Sequence, residues 1–303
     1  MSKYLIFLLA LLCCSCHETK RENDSAIQVF VLRGPSLIAL ADWIANPPTI
    51  DNHPIKVTII DSPDRAQASI IKGESDITVL PMINAANLYN KGIAIRLAGC
   101  PIWGTLYWVE RQTICDSALY VFGGSTTPDI LLRYYLQRQQ LDYPLKYTFT
   151  TAQEVTHALL AKKADRSVLC EPFLSIALRK DSTLKILTNL NHTTNEKRAG
   201  FAQTAIIYTP RLEKYRTAFE QALRASCIKA TQQPEQTIHF LESQGLFPKN
   251  TLTTESIKRC EIRYLSTKEA AQSILEFLKL IEQYEPKAIG GKLPDNGFIN
   301  PQS

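Results

Sequence analysis

Gln28–Ser36 reads QVFVLRGPS and Ala118–Thr126 reads ALYVFGGST, and both stretches are an apolar strand that runs into a glycine-containing turn. The residues beyond each turn, Leu37–Ala45 and Ile130–Gln139, have apolar side chains at helical spacing. A strand followed by a turn and a helix is a building unit of α/β proteins. The chain therefore contains two copies of such a unit, about 90 residues apart.

Two more pairs of segments follow in the same order at nearly the same offset. Ile55–Ile59 (IKVTI) matches Leu145–Phe149 (LKYTF), and Ser69–Leu80 (SIIKGESDITVL) matches Ala158–Leu169 (ALLAKKADRSVL) with one aspartate of each in register. Strands that alternate with helices predict a mainly parallel sheet covered on both faces. We therefore predict an α/β fold of two lobes. The alternative is a chance likeness between two α/β segments.

The boundaries of the lobes follow from the segments around the second repeat. Thr105–Val109 and Thr204–Tyr208 are short β-rich runs that bracket it, and from Leu212 onward the apolar spacing is helical. These two runs are the predicted crossings between the lobes. The helices that follow the second crossing must pack back on existing lobes, so lobe 1 is predicted to be discontinuous. The prediction assigns residues 26–110 to the first part of lobe 1, 111–203 to lobe 2 and 204–303 to the return, with hinge strands near Tyr107–Val109 and Ala205–Ile207.

The N-terminal residues predict that the protein is located outside the cytoplasm. Lys3 precedes the apolar run Leu5–Leu12, which at 1.5 Å per residue is too short to cross a membrane and is typical of a signal peptide. The run ends in Cys13-Cys14-Ser15-Cys16, which resembles a bacterial lipobox. We predict a signal peptide over 1–15, lipid on Cys16 and a polar tether over 16–25, with Cys14 or an ordinary cleaved signal as alternatives. This places the chain in the cell envelope, anchored to a membrane.

Five cysteines remain after the leader: Cys100, Cys115, Cys170, Cys227 and Cys260. None forms a CxxC pair and the histidines are scattered, so no structural metal is predicted. Outside the cytoplasm disulfides are permitted. Because Cys227 and Cys260 both belong to the C-terminal helical part, we predict a disulfide between them, with two buried thiols as the alternative.

Composition and charge exclude several classes of protein. The 303 residues are 45% hydrophobic and 21% charged, which is unlike a disordered or fibrous chain. The 34 Lys and Arg against 29 Asp and Glu leave a formal charge of +5 with no dense basic block, so no nucleic-acid partner is expected. The sequence contains neither a GxSxG nor an HExxH motif, so neither of these catalytic signatures points to an enzyme.

Five longer motifs are LRGPS at Leu32–Ser36, IIKGESDITVLPMINAANLYNKG at Ile70–Gly92, WGTLYWVE at Trp103–Glu110, CEPF at Cys170–Phe173 and AIGGKLPDNGF at Ala288–Phe298. Together they resemble one bacterial family, the extracytoplasmic substrate-binding proteins of ABC importers related to the nitrate, sulfonate, taurine and thiamine-precursor binders. The resemblance covers Ala26 to Phe298. It implies the two-lobed type II periplasmic-binding fold, a small-molecule ligand in the cleft, closure by a hinge, an importer permease as partner and no cofactor. We expect a monomer and no enzyme activity, although some relatives of this fold are enzymes and a ligand-sensing or scaffold lipoprotein would share the same features.

The two glycine turns are the main candidates for the ligand site. In open α/β sheets ligands bind beyond the carboxyl ends of the strands, where loops lead into helices. Two helix N-termini that face each other across a cleft favour an anionic ligand, with which Arg33 would pair. Well-capped helix starts are the alternative explanation. The predicted walls are Arg33, Gly34, Pro35 and Ser36 on one side and Gly124, Ser125 and Thr126 on the other.

Five further residues are weaker candidates. Pro81 and Met82 end a strand, so their turn should also face the cleft. Trp103 and Tyr107 would form an aromatic wall, for which core packing is an equal explanation. Glu171 matches an EPF element with which the resembled family often lines its cleft or hinge. The alternative is that Glu171 is an ordinary solvated or helix-capping acid. The residues leave open whether the ligand is a sulfonate, a nitrate-like anion or a pyrimidine precursor.

Overall fold

The computed structural model describes residues 26–192 and 200–299. The predicted signal peptide, the tether and the lipidation site at Cys16 lie outside these residues. The strands are β1 (Ile27–Leu32), β2 (Thr49–Ile50), β3 (His53–Ile60), β4 (Ile77–Pro81), β5 (Arg96–Ile102), β6 (Leu106–Arg111), β7 (Leu119–Tyr120), β8 (Leu145–Lys146), β9 (Arg166–Cys170), β10 (Leu184–Asn189), β11 (Thr204–Tyr208) and β12 (Ile262–Ser266). The α-helices are α1 (Pro35–Ala39), α2 (Ala41–Ala45), α3 (Pro63–Ile71), α4 (Met82–Asn90), α5 (Thr127–Arg138), α6 (Ala152–Leu160), α7 (Phe173–Lys180), α8 (Arg216–Gln232), α9 (Pro234–Ser243), α10 (Thr254–Arg259), α11 (Thr267–Tyr284) and α12 (Asn296–Ile299).

The strands form two sheets, each flanked by helices, which confirms the predicted two-lobed α/β fold. Sheet 1 has the order β12-β5-β11-β4-β1-β3-β2, and sheet 2 has the order β10-β6-β9-β7-β8. Five strands of sheet 1, β5-β11-β4-β1-β3, match the five strands of sheet 2 position for position. The predicted repeat is therefore present as a repeated strand order.

The sheets are mixed, which corrects the prediction of mainly parallel sheets. Among the described strands, parallel pairing is confined to β1 with β3 and β4, and to β7 with β8 and β9. The strand that arrives from the other lobe runs the opposite way: β11 is antiparallel to β4 and β6 is antiparallel to β9. An arriving strand starts at the edge where the parallel strands end, because it comes from across the cleft.

The register of these antiparallel pairs locates the edge that faces the other lobe. Thr204, the first residue of β11, pairs with Pro81 at the end of β4. Leu106, the first residue of β6, likewise pairs with Cys170 at the end of β9. The carboxyl ends of the parallel strands in both sheets therefore lie where the chain crosses between lobes. Because β6 belongs to sheet 2, the first crossing falls at 103–105, before the boundary expected at residue 110.

The two aspartates that the repeat brings into register have equivalent roles. Asp76 precedes β4 and accepts hydrogen bonds from the backbone N–H of Gln28 and from Arg211. Asp165 precedes β9 and accepts from the backbone N–H groups of Cys115 and Asp116 and from Arg111. Each carboxylate thus links the start of the third strand of its repeated unit, β4 or β9, to the start of the first strand, β1 or β7.

The long helix α11 connects the C-terminal part to both lobes. It begins with a capping box, in which the Ser266 hydroxyl accepts from the Glu269 backbone N–H and the Glu269 carboxylate accepts from the Ser266 N–H. Its buried face includes Phe277, which packs on Phe201 with ring centroids 5.8 Å apart. At its end Tyr284 meets Tyr134 of α5, so α11 reaches the second lobe. Among the described residues no helix has the length and apolar character needed to span a membrane.

Cys227 and Cys260 are free buried thiols, which corrects the predicted disulfide. Burial raises the pKa of Cys227, on α8, to about 12; the nearby Cys100 thiol adds to this effect and the Arg224 charge opposes it. Burial also raises the pKa of Cys260, whose neighbours are Glu171 and Cys170 of lobe 2. Membership of one helical region therefore did not bring these two sulfurs together.

Candidate functional site

A cleft of about 1260 Å³ lies between elements of the two lobes. Arg33, Gly34 and Asp61, which follow the parallel strands β1 and β3, line it from lobe 1. One face of α6 and one face of α7 line it from lobe 2, and a segment between α9 and α10 closes a third side. The lining residues outside lobe 1's strand ends are Gln153, Thr156, His157 and Leu160 of α6, Pro172, Phe173, Ile176, Arg179 and Lys180 at α7, and Glu242, Ser243, Gly245–Lys249 and Thr251 of the third side.

Arg33 projects from the end of β1 and is already paired within the protein. Its Nε donates to Asp61 Oδ1 at 2.7 Å, and its Nη1 donates to the Leu246 carbonyl oxygen at 2.8 Å. The Arg33 and Asp61 side chains are 45% and 68% exposed. Asp61 therefore fixes the direction of the guanidinium, and the exposed part of the guanidinium stays accessible from the cleft.

Gly34 gives the loop a conformation that other residues rarely adopt. Its φ of 121° and ψ of −147° fall in a region essentially restricted to glycine. The chain can thereby turn directly from β1 into α1. Pro35 occupies the first position of α1 and is half-buried, and Ser36 is buried. Of the predicted first wall, only Arg33 and Gly34 line the cleft.

The second predicted loop is exposed but does not line this cleft. Ser125 Oγ donates to Glu285 Oε2 at 2.8 Å, and the Ser125 backbone N–H donates to Asp129. Thr126 Oγ1 donates to the Gly123 carbonyl oxygen within the loop. Gly124–Thr126 thus contacts the end of α11, and the structure does not bring it together with Arg33. The wall opposite Arg33 consists of α6 and α7 instead.

Met82 and the two aromatic candidates are buried in this structure. Met82 and Trp103 have no exposed surface, whereas Pro81 is half-buried. Trp103 Nε1 donates to the Arg263 carbonyl oxygen at 2.9 Å, and Tyr107 Oη donates to the Arg259 carbonyl oxygen at 2.9 Å. Trp103 and Tyr107 therefore act here as core residues with satisfied polar atoms.

Glu171 is fully buried next to the cleft, where it joins the lobes. Arg259 Nε, at the end of α10, donates to Glu171 Oε1 at 2.5 Å, and Ser175 Oγ donates to the same oxygen at 3.1 Å. Burial raises the pKa of Glu171, and the hydrogen bonds from Arg259 and Ser175 oppose that effect. Glu171 is thus neither a solvated acid nor part of the cleft lining, although its neighbour Pro172 lines the cleft.

Among the residues that the structure describes, more positive than negative side chains line the cleft. Arg33, Arg179, Lys180 and Lys249 line it, against the carboxylates of Asp61 and Glu242. Its apolar lining includes Leu160, Phe173, Ile176, Leu246 and Pro248. Such a surface suits a small molecule with an acidic group and an apolar part. Sequence reasoning missed α6, α7 and residues 242–251, because nothing local marks which helix faces line a cleft.

Residues 26–192 and 200–299 contain no group of three or more His, Cys, Asp or Glu side chains that could hold a metal ion.

The chain is similar to several solved structures. A crystal structure of an ABC transporter from Parabacteroides distasonis is 64% identical, with a TM-score of 0.89, over 91% of this chain and 98% of that one. This chain is an ABC-transporter substrate-binding protein. The substrate-binding protein shares its fold with the periplasmic aliphatic sulphonate binding protein SsuA from Escherichia coli, at 13% identity and a TM-score of 0.70 over 89% of this chain and 90% of that one. It also shares its fold with the alkanesulfonate-binding protein SsuA from Xanthomonas axonopodis pv. citri bound to MOPS, at 14% identity and a TM-score of 0.63 over 91% and 97% of the chains.

These findings confirm the predicted family. The substrate-binding protein binds a small molecule for an ABC transporter system and is not an enzyme. No protein family model matches the chain, and no curated protein matches it.

Proposed function

We propose that this substrate-binding protein captures a small anionic ligand with an apolar or heteroaromatic body in the described cleft. It then delivers that ligand to an ABC importer. The observation that carries the proposal is the composition of the cleft, which combines four cationic side chains and two carboxylates with an apolar lining from both lobes. Charge-assisted hydrogen bonds to an acidic group supply orientation, and the apolar lining supplies contact area.

Arg33 is proposed as the central contact to the acidic group. Asp61 and the Leu246 carbonyl hold its guanidinium in place, which reduces the entropy lost when a ligand binds. Gly34 lets the ligand approach the backbone. The other predicted contacts do not line the cleft in the structure described here. They stay part of the proposal for a ligand-bound arrangement of the lobes. These residues are Pro35, Ser36, Pro81, Met82, Trp103, Gly124, Ser125, Thr126 and Glu171.

The test begins without assuming a ligand. Small molecules released on denaturing the purified protein are identified by mass spectrometry, and MOPS and taurine serve as sulfonate probes in calorimetric titrations. For an anion that binds, R33A should raise Kd by about one to two decades, the loss of a contact of roughly 1.5–3 kcal/mol. R65A, an exposed arginine outside the cleft, should leave Kd unchanged. Equal affinity for R33A and wild type would remove Arg33 from the site.

Ligand binding is expected to draw the lobes together, because contacts to both lobes are complete only in the closed cleft. Small-angle X-ray scattering with the bound probe should give a smaller radius of gyration than without it. An unchanged radius would argue against a cleft that closes on its ligand.

The proposal includes a lipid anchor on Cys16, at the membrane of the cell envelope. Ser15 supplies the small residue that cleavage before Cys16 requires. C16S should therefore lose detergent-phase partitioning and accumulate uncleaved or soluble. If C14S has this effect and C16S does not, the anchor is on Cys14.

A further inference from the structure

Residues Gln244–Thr251, named here the strap, form most of the third side of the cleft and lie outside both repeats. The strap follows α9 and precedes α10. Its base is closed by Glu242, whose Oε1 accepts from the backbone N–H groups of Thr251 and Leu252 at 3.0 and 3.2 Å. Phe247 is buried in the core of lobe 1 and anchors the middle of the strap. The strap is therefore a defined loop with a fixed base and a fixed anchor.

Guanidinium groups from opposite walls of the cleft bind the strap. Arg33, at the end of β1 in lobe 1, donates to the Leu246 carbonyl oxygen at 2.8 Å. Arg179, on α7 in lobe 2, donates to the Asn250 carbonyl oxygen. Hence the position of Asn250 depends on lobe 2, and the position of Leu246 depends on lobe 1.

The strap also presents side chains to the cleft. Leu246, Pro248 and Lys249 line it, opposite Phe173 and Ile176 of α7. A ligand that fills the space between these walls must contact the strap as well as the two lobes. Neither repeated unit contains an equivalent segment, so the strap is the part of the cleft that can vary without disturbing the two-lobed framework.

We propose that the strap is a specificity-determining wall of the ligand cleft and that Arg33 and Arg179 are its positioning residues. This inference rests on the proposed function, since it assumes that the cleft holds the ligand. Arg179 couples the strap to the lobe 2 wall, because its guanidinium donates from α7 to the Asn250 carbonyl oxygen. The Leu246 and Pro248 side chains then limit the size of the ligand that fits in the cleft.

The first test needs no ligand. Trypsin cleaves after lysine, and Lys249 is exposed in the strap. Removing the Arg179 contact in R179A should free Asn250 and raise the rate of cleavage at Lys249–Asn250 by about threefold or more, followed by mass spectrometry of the new ends. R179K, which retains a donor, should restore most of the protection. K185A, an exposed lysine of the same lobe outside the cleft, should leave the rate unchanged.

The second test concerns specificity and uses MOPS and ethanesulfonate as large and small sulfonate probes. L246A/P248A trims the strap, so its Kd for MOPS should rise by about threefold or more relative to its Kd for ethanesulfonate, since only the larger probe reaches the strap. Thermal unfolding of each variant checks that the fold is intact.

The outcomes separate the strap from the proposed function. If trypsin cleaves R179A at the wild-type rate, or cleaves R179K as fast as R179A, Arg179 does not position the strap. This conclusion does not depend on knowing the ligand. An unchanged ratio of the two Kd values in L246A/P248A overturns the specificity role. If neither probe binds the wild type, the sulfonate form of the proposed function fails, and the same comparison is made with the molecule released from the purified protein.

Discussion

At the scale of single residues, the two glycines that the repeat aligns, Gly34 and Gly124, differ in whether their position needs glycine. Gly34 has a φ of 121°, and a Cβ built on it would meet no atom within 4 Å. Gly124 lacks such a backbone angle, and a Cβ on it would make an ordinary contact of 3.4 Å with Tyr147. The requirement at Gly34 is thus purely conformational.

We therefore predict that G34A lowers the free energy of unfolding by about 1–3 kcal/mol through backbone strain. The matched variant G124A should change it by less than about 1 kcal/mol, because its backbone suits alanine. Urea unfolding of both variants provides the comparison. Similar losses in the two variants would show that the Gly34 conformation is not required.

At the scale of elements, Arg111 at the end of β6 joins the parts of lobe 2. Its guanidinium donates to Asp181 Oδ2 at 2.5 Å and to Thr183 Oγ1 at 2.7 Å, before β10, and to the Leu159 carbonyl oxygen of α6. The side chains of Arg111 and Asp181 are only 8% and 14% exposed. Hydrogen bonds from Thr183 and then from Arg111 lower the pKa of Asp181 from 3.8 to about 2.

A lowered pKa in the folded state means that the ionised Asp181 stabilises the fold above its unfolded pKa of 3.8, and that this contribution is lost as the pH falls toward 2. We predict that wild type is more stable than D181N by about 1–2 kcal/mol at neutral pH. The difference should shrink as the pH falls below about 4. Urea midpoints of both proteins across this range measure it, and a constant difference would contradict the assignment to Asp181.

At the scale of the whole molecule, three consecutive residues of the C-terminal part hold the lobes together. Arg259 binds Glu171 and Ser175 of lobe 2 and accepts from Tyr107 through its carbonyl oxygen. The Cys260 carbonyl oxygen accepts from the Gly104 N–H in the first crossing, and Glu261 pairs with His192 at 2.7 Å. These contacts lie at the end of α10, which therefore connects the two lobes.

The Glu171–Arg259 pair is the buried part of this contact. Removing one partner of a buried ion pair leaves an unpaired charge. E171A should therefore lower the free energy of unfolding by about 3 kcal/mol, near the lower end of that effect because the Arg259 side chain is 16% exposed. E255A removes a carboxylate that is 3.9 Å from the same guanidinium but 58% exposed, and should cost less than about 0.5 kcal/mol. Equal losses in the two variants would contradict a special role for burial.

The sequence by itself determined the local elements and their order. Alternating apolar strands and helices, glycine turns and the offset of about 90 residues predicted two α/β units, because periodicity and turn chemistry act over a few residues. They also predicted that Arg33 and Gly34 follow a strand end, where they line the cleft.

Only the tertiary structure decided which segments meet. It showed that β6 and β11 enter their sheets antiparallel, that Trp103 is buried, that Cys227 and Cys260 stay apart, and that Arg33 pairs with Asp61. It also showed that the cleft is walled by helix faces and by a strap from beyond both repeats. These contacts join residues far apart in the chain, and burial and pairing of that kind depend on packing that no local pattern records.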